Sequence, residues 1–168
     1  MIDTEKKSLI TMEELAGFLN IESSSFIDQV FHQVGRESPR TINLREFILC
    51  LRRYLSMDSS QLTRFLFDIY ESNNKIPMDR LKEILILADG NHDVDRKMQN
   101  LLLMIDVDKS EKEIKYQDFE LAVRKSPILL RPLIQLQTNM RGKIASTSFW
   151  ERLKPLYAVL SLDSLPIT

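Results

Sequence analysis

Apolar residues recur along this chain at helical spacing. At five places the pattern is broken by an isoleucine followed five positions later by leucine or phenylalanine: Ile10 and Leu15, Ile42 and Phe47, Ile76 and Leu81, Ile114 and Phe119, Ile144 and Phe149. Each isoleucine lies in a short polar stretch and each second residue opens an amphipathic run, which predicts a repeated helix–loop–helix unit. The isoleucines are 32, 34, 38 and 30 residues apart, within the range of stacked units that cannot bury their apolar faces alone. The unequal intervals argue against a solenoid.

Within the runs, the apolar stripes can be placed. Phe47, Cys50, Leu51 and Tyr54 share one face, as do Leu62, Phe65, Leu66 and Ile69 in the next segment. Thr11, with Glu13 and Glu14 behind it, and Ser23 to Ser25 have the composition of helix starts. Gly90 reads as a helix stop and Asn91 or Asp93 as the start of a helix reaching about Ile105. Pro127 fits the first turn of another helix, in which Pro132 is early enough to be tolerated. A last helix is expected from near Ser146, with a break at Pro155.

Only four glycines are available for turns in 168 residues. The predicted fold is all-α, with helix–loop–helix pairs joined by short two-strand loop ladders. Two lobes are expected, 1–90 and 91–168. Ile42 and Ile76 are the expected ladder partners, which leaves Ile114 to pair with Ile144 or Ile10.

The segments ITMEELAGFLNI, FIDQVFHQVGRESPRTINLREFILCL, LTRFLFDIYESNNKIPMDRLKEIL and LLLMIDVDKSEKEIKYQDFELAV, in this order, resemble a run of EF-hands over about residues 8–125, and less closely to 153. The layout is similar to the EF-hand tail of lysophosphatidylcholine acyltransferases and, more loosely, to calcineurin-B-like calcium sensors. The resemblance implies paired units in which the loop isoleucine joins a ladder with its partner loop.

A calcium loop presents oxygens at alternating positions, turns sharply at a glycine and closes with a bidentate carboxylate. The closing position here holds Glu14, Glu46, Arg80, Asp118 and Ser148 in turn. Before Ile42, the loop from Gly35 through Pro39 and Arg40 offers only Glu37 and Glu46 as carboxylates. The stretch between Tyr70 and Ile76 is too short, and Arg80 repels a cation; its guanidinium is expected to hold a loop carboxylate or backbone carbonyls in the ion's place. Asp3, Glu5 and Glu14 ahead of Ile10 are interrupted by Lys7, and a loop before Ile144 would run from Gln137 through Asn139, Arg141 and Gly142.

Only the stretch from Asp106 to Asp118 keeps several ligands. Asp106, Asp108, Ser110 and Asp118 are the candidate metal residues, with Glu111 and Glu113 beside them against Lys109, Lys112 and Lys115. This loop carries one extra residue before Ile114 and has Glu111 near the turn instead of glycine. The expected cofactor is none, or one weakly bound calcium ion at this loop.

Catalytic constellations are not legible. The acyltransferase resemblance would require a histidine followed five residues later by aspartate, but His32 leads to Glu37 and His92 to Lys97. There is no nucleotide-binding glycine loop, CxxC pair or Ser–His–Asp spacing. The single Cys50 cannot form an internal disulfide and is expected to pack. The polar opening MIDTEKKS is unlike a signal peptide, and no run approaches the roughly 20 apolar residues of a membrane span. A cytoplasmic, non-enzymatic chain without a transmembrane segment is therefore expected.

The net charge of −1 conceals an asymmetry. Residues 1–120 carry 16 Lys and Arg against 22 Asp and Glu, whereas residues 121–160 carry seven against one. In the basic tail, Phe149, Leu153, Leu156, Tyr157 and Leu160 fall at helical spacing beside Trp150. Phe149, Trp150, Leu153 and Tyr157 are the candidate partner-binding residues. The tail either completes the second lobe's core or docks, on the acidic body or on an acidic partner surface such as tubulin or an anionic membrane. Nucleic acid is not an expected partner, because basic residues are not interleaved with stacking aromatics.

These features predict a non-catalytic interaction or scaffold protein that binds a partner helix or an acidic assembly surface largely without calcium. A cytoskeletal setting such as a ciliary axoneme follows only by family analogy. Two alternatives stay open: a calcium sensor using the 106–118 loop, and a regulatory subunit or tail of an enzyme.

Overall fold

In the computed structural model, which describes residues 9–11, 13, 14, 17, 25–33, 41–108 and 110–144, the chain divides into two compact units. Unit 1 takes residues 1–57 together with 136–168, and unit 2 takes residues 58–135.

Unit 1 contains strand β1 (Leu9–Thr11), helix α1 (Ser25–Gln33), strand β2 (Thr41–Asn43) and helix α2 (Leu44–Ser56). The strands pair antiparallel with Ile10 opposite Ile42. After β1, Thr11 and Glu14 form a capping box: Thr11 Oγ1 accepts from Glu14 N–H at 3.1 Å, and Glu14 Oε2 accepts from Thr11 N–H at 2.9 Å. Phe26, Ile27, Val30 and Phe31 of α1 and Leu51, Tyr54 and Leu55 of α2 are buried. The side chains of Phe47 and Cys50, expected on the same face of α2, lie outside those described.

Unit 2 runs through α3 (Ser59–Tyr70), β3 (Lys75–Pro77), α4 (Met78–Asp89), α5 (Val94–Met104), β4 (Glu113–Lys115), α6 (Tyr116–Lys125) and a 3₁₀ segment (Pro127–Leu130). Helix α7 (Arg131–Ile144) follows, and its residues from 136 onward belong to unit 1. Strands β3 and β4 pair antiparallel with Ile76 opposite Ile114, both at most 1% exposed. Around this pair, Leu66 and Phe67 of α3, Leu81 and Ile84 of α4, Leu102 of α5 and Phe119 of α6 are buried. Each such side chain stabilises the unit by about 1.5–3 kcal/mol through loss of apolar surface to water.

Local chemistry sets the helix ends. Asp58 and Gln61 form a capping box at the start of α3. Gly90 closes α4 with φ 76°, a conformation that costs a residue without Cβ little. Across that corner Lys97 Nζ reaches the Asp89 carboxylate at 2.6 Å and its carbonyl at 3.2 Å. Lys82 and Asp95 pair at 2.7 Å, also between α4 and α5.

The all-α expectation with short two-strand ladders agrees with this architecture. Three expectations change. Ile42 pairs with Ile10 and Ile76 with Ile114, rather than Ile42 with Ile76. A ladder requires only extended backbone at the isoleucine, and the first unit supplies that despite its poor ion ligands. The expected division after residue 90 accordingly falls inside unit 2, between α4 and α5, which pack on each other.

Third, no loop precedes Ile144, because Gln137 to Ile144 continue α7. Leu133, Leu136, Gln137 and Met140 form a buried stripe along that helix. The stripe outweighs the modest cost of Gly142 within a helix. The expected helix from Ser146, its break at Pro155 and the candidate partner residues Phe149, Trp150, Leu153 and Tyr157 lie outside the described residues. No helix among the described residues is long and apolar enough to cross a membrane.

Candidate functional site

The candidate metal residues lie in the link from α5 to β4 and in the first turn of α6. At the end of α5, Val107 N–H donates to the Leu102 carbonyl at 3.1 Å and Asp106 N–H to the Leu103 carbonyl at 3.4 Å. With Asp106 left-handed at φ 56°, these bonds make a Schellman stop, and Asp106 takes the place usually given to glycine or asparagine. Its side chain is exposed.

Asp108 turns onto the same link. Its Oδ1 accepts the Ser110 N–H at 2.7 Å, and its carbonyl accepts the Glu111 N–H at 3.1 Å. The amide and then the hydroxyl of Ser110 favour the charged carboxylate and hold Asp108 below the usual range. Asp108 and Ser110 are thus brought together as acceptor and donor of one turn. Asp118 is half-buried in the first turn of α6. Among the described residues, no three His, Cys, Asp or Glu side chains form a group able to hold a metal ion, so Asp106, Asp108 and Asp118 do not converge. Glu113 reaches across the ladder to Lys75 at 3.3 Å.

The link from α3 to β3 departs further from an ion loop. Ser72 N–H donates to the Lys75 carbonyl at 2.7 Å and Lys75 N–H to the Ser72 carbonyl at 3.2 Å. Between them Asn73 and Asn74 are both left-handed, with φ 56° and 61°. This is a two-residue hairpin of the I′ kind, whose backbone asparagine tolerates. Glu71 Oε2 accepts the Asn74 N–H at 2.7 Å. The backbone groups of the shortened loop therefore satisfy one another.

Arg80, expected to reach a loop carboxylate or carbonyl, instead pairs with Glu83 of its own helix at 2.9 Å. Residues three apart are neighbours on a helix surface, and the bond to Glu83 raises the guanidinium pKa above its ordinary value. Beside this pair, burial pushes the Tyr70 phenol up to about 12, with Glu83 adding to the rise and Arg80 opposing it. Further along α3, Arg64 bonds Asp68 at 2.8 Å and lies 4.9 Å from the centre of the Tyr116 ring. Tyr116 also meets Phe67 edge-on at 5.2 Å, which ties α3 to α6.

In unit 1, two positions read from sequence as loop residues are helix-end partners. Gln137 Nε2 donates to the carbonyls of Tyr54 at 2.9 Å and Met57 at 3.0 Å, and the Arg141 guanidinium donates to the carbonyl of Leu55. The last carbonyls of a helix lack internal donor partners, and a cation there also suits the helix dipole. Burial drives the Tyr54 phenol well above its usual range, with Arg141 opposing. The helical spacing of Leu133, Leu136, Gln137 and Met140 is the signal that could have found these two residues. No protein-family model matches the chain, and no curated protein matches it in sequence.

Proposed function

We propose that this chain is a non-catalytic interaction protein of EF-hand-like build, which binds a partner helix or an assembly surface largely without calcium. One observation carries the reading: three of the side chains at the loop positions are engaged inside the protein. Glu14 serves the Thr11 cap, Arg80 pairs with Glu83, and Asp108 accepts from Ser110. Both isoleucine ladders are formed with those groups so engaged, which supports a frame held by its own packing. By analogy with the EF-hand resemblance, the setting is cytoplasmic and cytoskeletal, such as a ciliary axoneme.

A calcium sensor is the second reading. The exposed Asp106 and the ionised Asp108 favour it, since few bonds would have to change for these carboxylates to face an ion. Calorimetric titration of calcium into chelator-treated protein, with Asp106→Ala as control, separates the two. The proposed function predicts no heat up to millimolar calcium; heat at micromolar calcium that vanishes in the variant would establish the sensor.

A further inference from the structure

Of the four glycines in the chain, Gly90 alone follows an aspartate or asparagine. An Asp–Gly step carries its own chemistry. The glycine nitrogen can attack the aspartate Cγ and close a five-membered succinimide with loss of one water, made from the N–H proton and the carboxyl hydroxyl. Hydrolysis returns that water and opens the ring on either side, giving aspartate again or isoaspartate, in which the main chain runs through Cβ. Glycine permits the attack best, because no Cβ stands beside the nitrogen. The reaction needs a free peptide N–H, a peptide plane turned out of its helical setting, and a neutral carboxyl, since a carboxylate must first take up a proton to release water.

In unit 2 all three are withheld. Gly90 N–H donates to the Ile86 carbonyl at 2.8 Å, which keeps the Asp89 peptide in the last turn of α4. Lys97 Nζ of α5 holds the Asp89 carboxylate at 2.6 Å and the carbonyl of the same residue at 3.2 Å. The charged form of the carboxyl is favoured by Lys97 first and then by Arg131 at the head of α7. Elsewhere in the corner, His92 and Arg96 lie 3.7 and 3.0 Å from the carboxylate of Asp93. Of the other elements packed on α4, the 3₁₀ segment has no titratable side chain, and Lys75 of β3 is paired with Glu113. A carboxylate at the C-terminal end of a helix opposes the helix dipole, and the last carbonyls there lack donors. One lysine answers both. The Asp89 side chain is still 36% exposed, so water reaches it.

We infer that Asp89–Gly90 is a latent isoaspartate-forming site, and that Lys97 is the positioning residue that keeps it silent while the corner between α4 and α5 is closed. Opening of the corner releases the carboxyl and the Gly90 N–H together. Once isoaspartate forms, the extra main-chain carbon displaces the carboxyl from Lys97 and the Gly90 N–H from Ile86, so a transient opening becomes a lasting one. The modification therefore marks chains whose corner has opened, whatever partner or ion the protein binds.

The test incubates the full chain in mildly acidic and neutral buffers and counts isoaspartate at residue 89 by mass spectrometry with electron-transfer fragmentation, which separates the two isomers. A synthetic peptide of residues 84–96 gives the unprotected rate. While circular dichroism shows the chain folded, conversion should be at least about tenfold slower than in the peptide, as for a site reached only through an opening. It should also fall away at lower pH than in the peptide, because Asp89 stays charged further into acid. Lys97→Met should convert at least about threefold faster than the parent, with its pH profile moved toward the peptide's, and Lys97→Arg should restore both. Lys82→Met removes the other pair between α4 and α5, Lys82 with Asp95 at 2.7 Å, and should leave rate and profile near the parent's.

Conversion no faster in Lys97→Met than in Lys82→Met would overturn the inference. If Lys97→Met does not fold, the unmodified chain decides: conversion at the peptide's rate and with the peptide's pH profile would equally overturn it.

Discussion

The side-chain amide of Gln137 donates to the main-chain carbonyl of Tyr54 at 2.9 Å across 83 residues of sequence, and to that of Met57 at 3.0 Å. One buried amide thus serves two carbonyls at the end of α2. Gln137→Leu keeps the bulk and removes both donors. It should cost about 1–3 kcal/mol in denaturant unfolding, the penalty for buried acceptors left without a partner. The exposed neighbour changed in Gln135→Leu should stay within about 0.5 kcal/mol of the parent. Equal effects would mean that the Gln137 bonds contribute nothing.

The Asn73–Asn74 hairpin places a left-handed requirement on both residues. A β-branched side chain there meets the following carbonyl, so Asn74→Val should cost about 1–2 kcal/mol. Asn74→Gly gives the favoured I′ pair and should be neutral or slightly stabilising. Thermal unfolding of the two variants beside the parent decides the matter by the order of their midpoints.

At the centre of the second ladder, Ile76 and Ile114 are paired and buried. Truncation of either to alanine should cost about 2–5 kcal/mol, because the surroundings relax only partly into the cavity. The double variant should depart from the sum of the singles by about 0.5–3 kcal/mol, as expected for side chains in contact. Strict additivity in a double-mutant cycle would show that the two side chains act independently.

Lys97 holds the Asp89 carboxyl below the ordinary aspartate range, chiefly through a direct bond at 2.6 Å. A carboxyl whose pKa is lowered by folding adds stability that is complete above its unfolded value of about 4, and that stability is lost as pH falls through the folded value. The parent should therefore lose stability in acid more steeply than Lys97→Met, and the two unfolding curves should converge once Asp89 is protonated in both. Parallel curves across the acid range would show that the pair carries no such linkage.

Helices and their stops were legible because their determinants are local: the stripe of Leu62, Phe65 and Leu66, the glycine at position 90, and the glutamates after Thr11. The partners of the loop isoleucines were not. In sequence all five look alike, whereas packing remote in sequence chooses the pairs and leaves Ile144 in helix α7. Arg80 could reach a loop carboxylate or Glu83 as far as sequence tells, and helix spacing places Glu83 at hand. The dipeptide Asn73–Asn74 carries a hairpin signal that the expectation of an ion loop obscures. In the same way Gly142, taken as a loop glycine, hides the helix that carries Gln137 and Arg141. Among the four candidate metal residues, spacing marked Asp108 and Ser110 as ligands but did not show that they form one turn, nor that the backbone of Asp106 ends a helix.

Unit 2 is one continuous stretch of chain, whereas unit 1 joins residues 1–57 to residues from 136 onward. On the ribosome, α1 and α2 emerge first, but the groups that finish unit 1, Gln137 and Arg141, emerge after the whole of unit 2. Synthesis therefore reverses the usual order in which N-terminal domains fold first. The apolar faces of α1 and α2 must wait through the making of about half the chain, and that interval is when a nascent-chain chaperone would be needed.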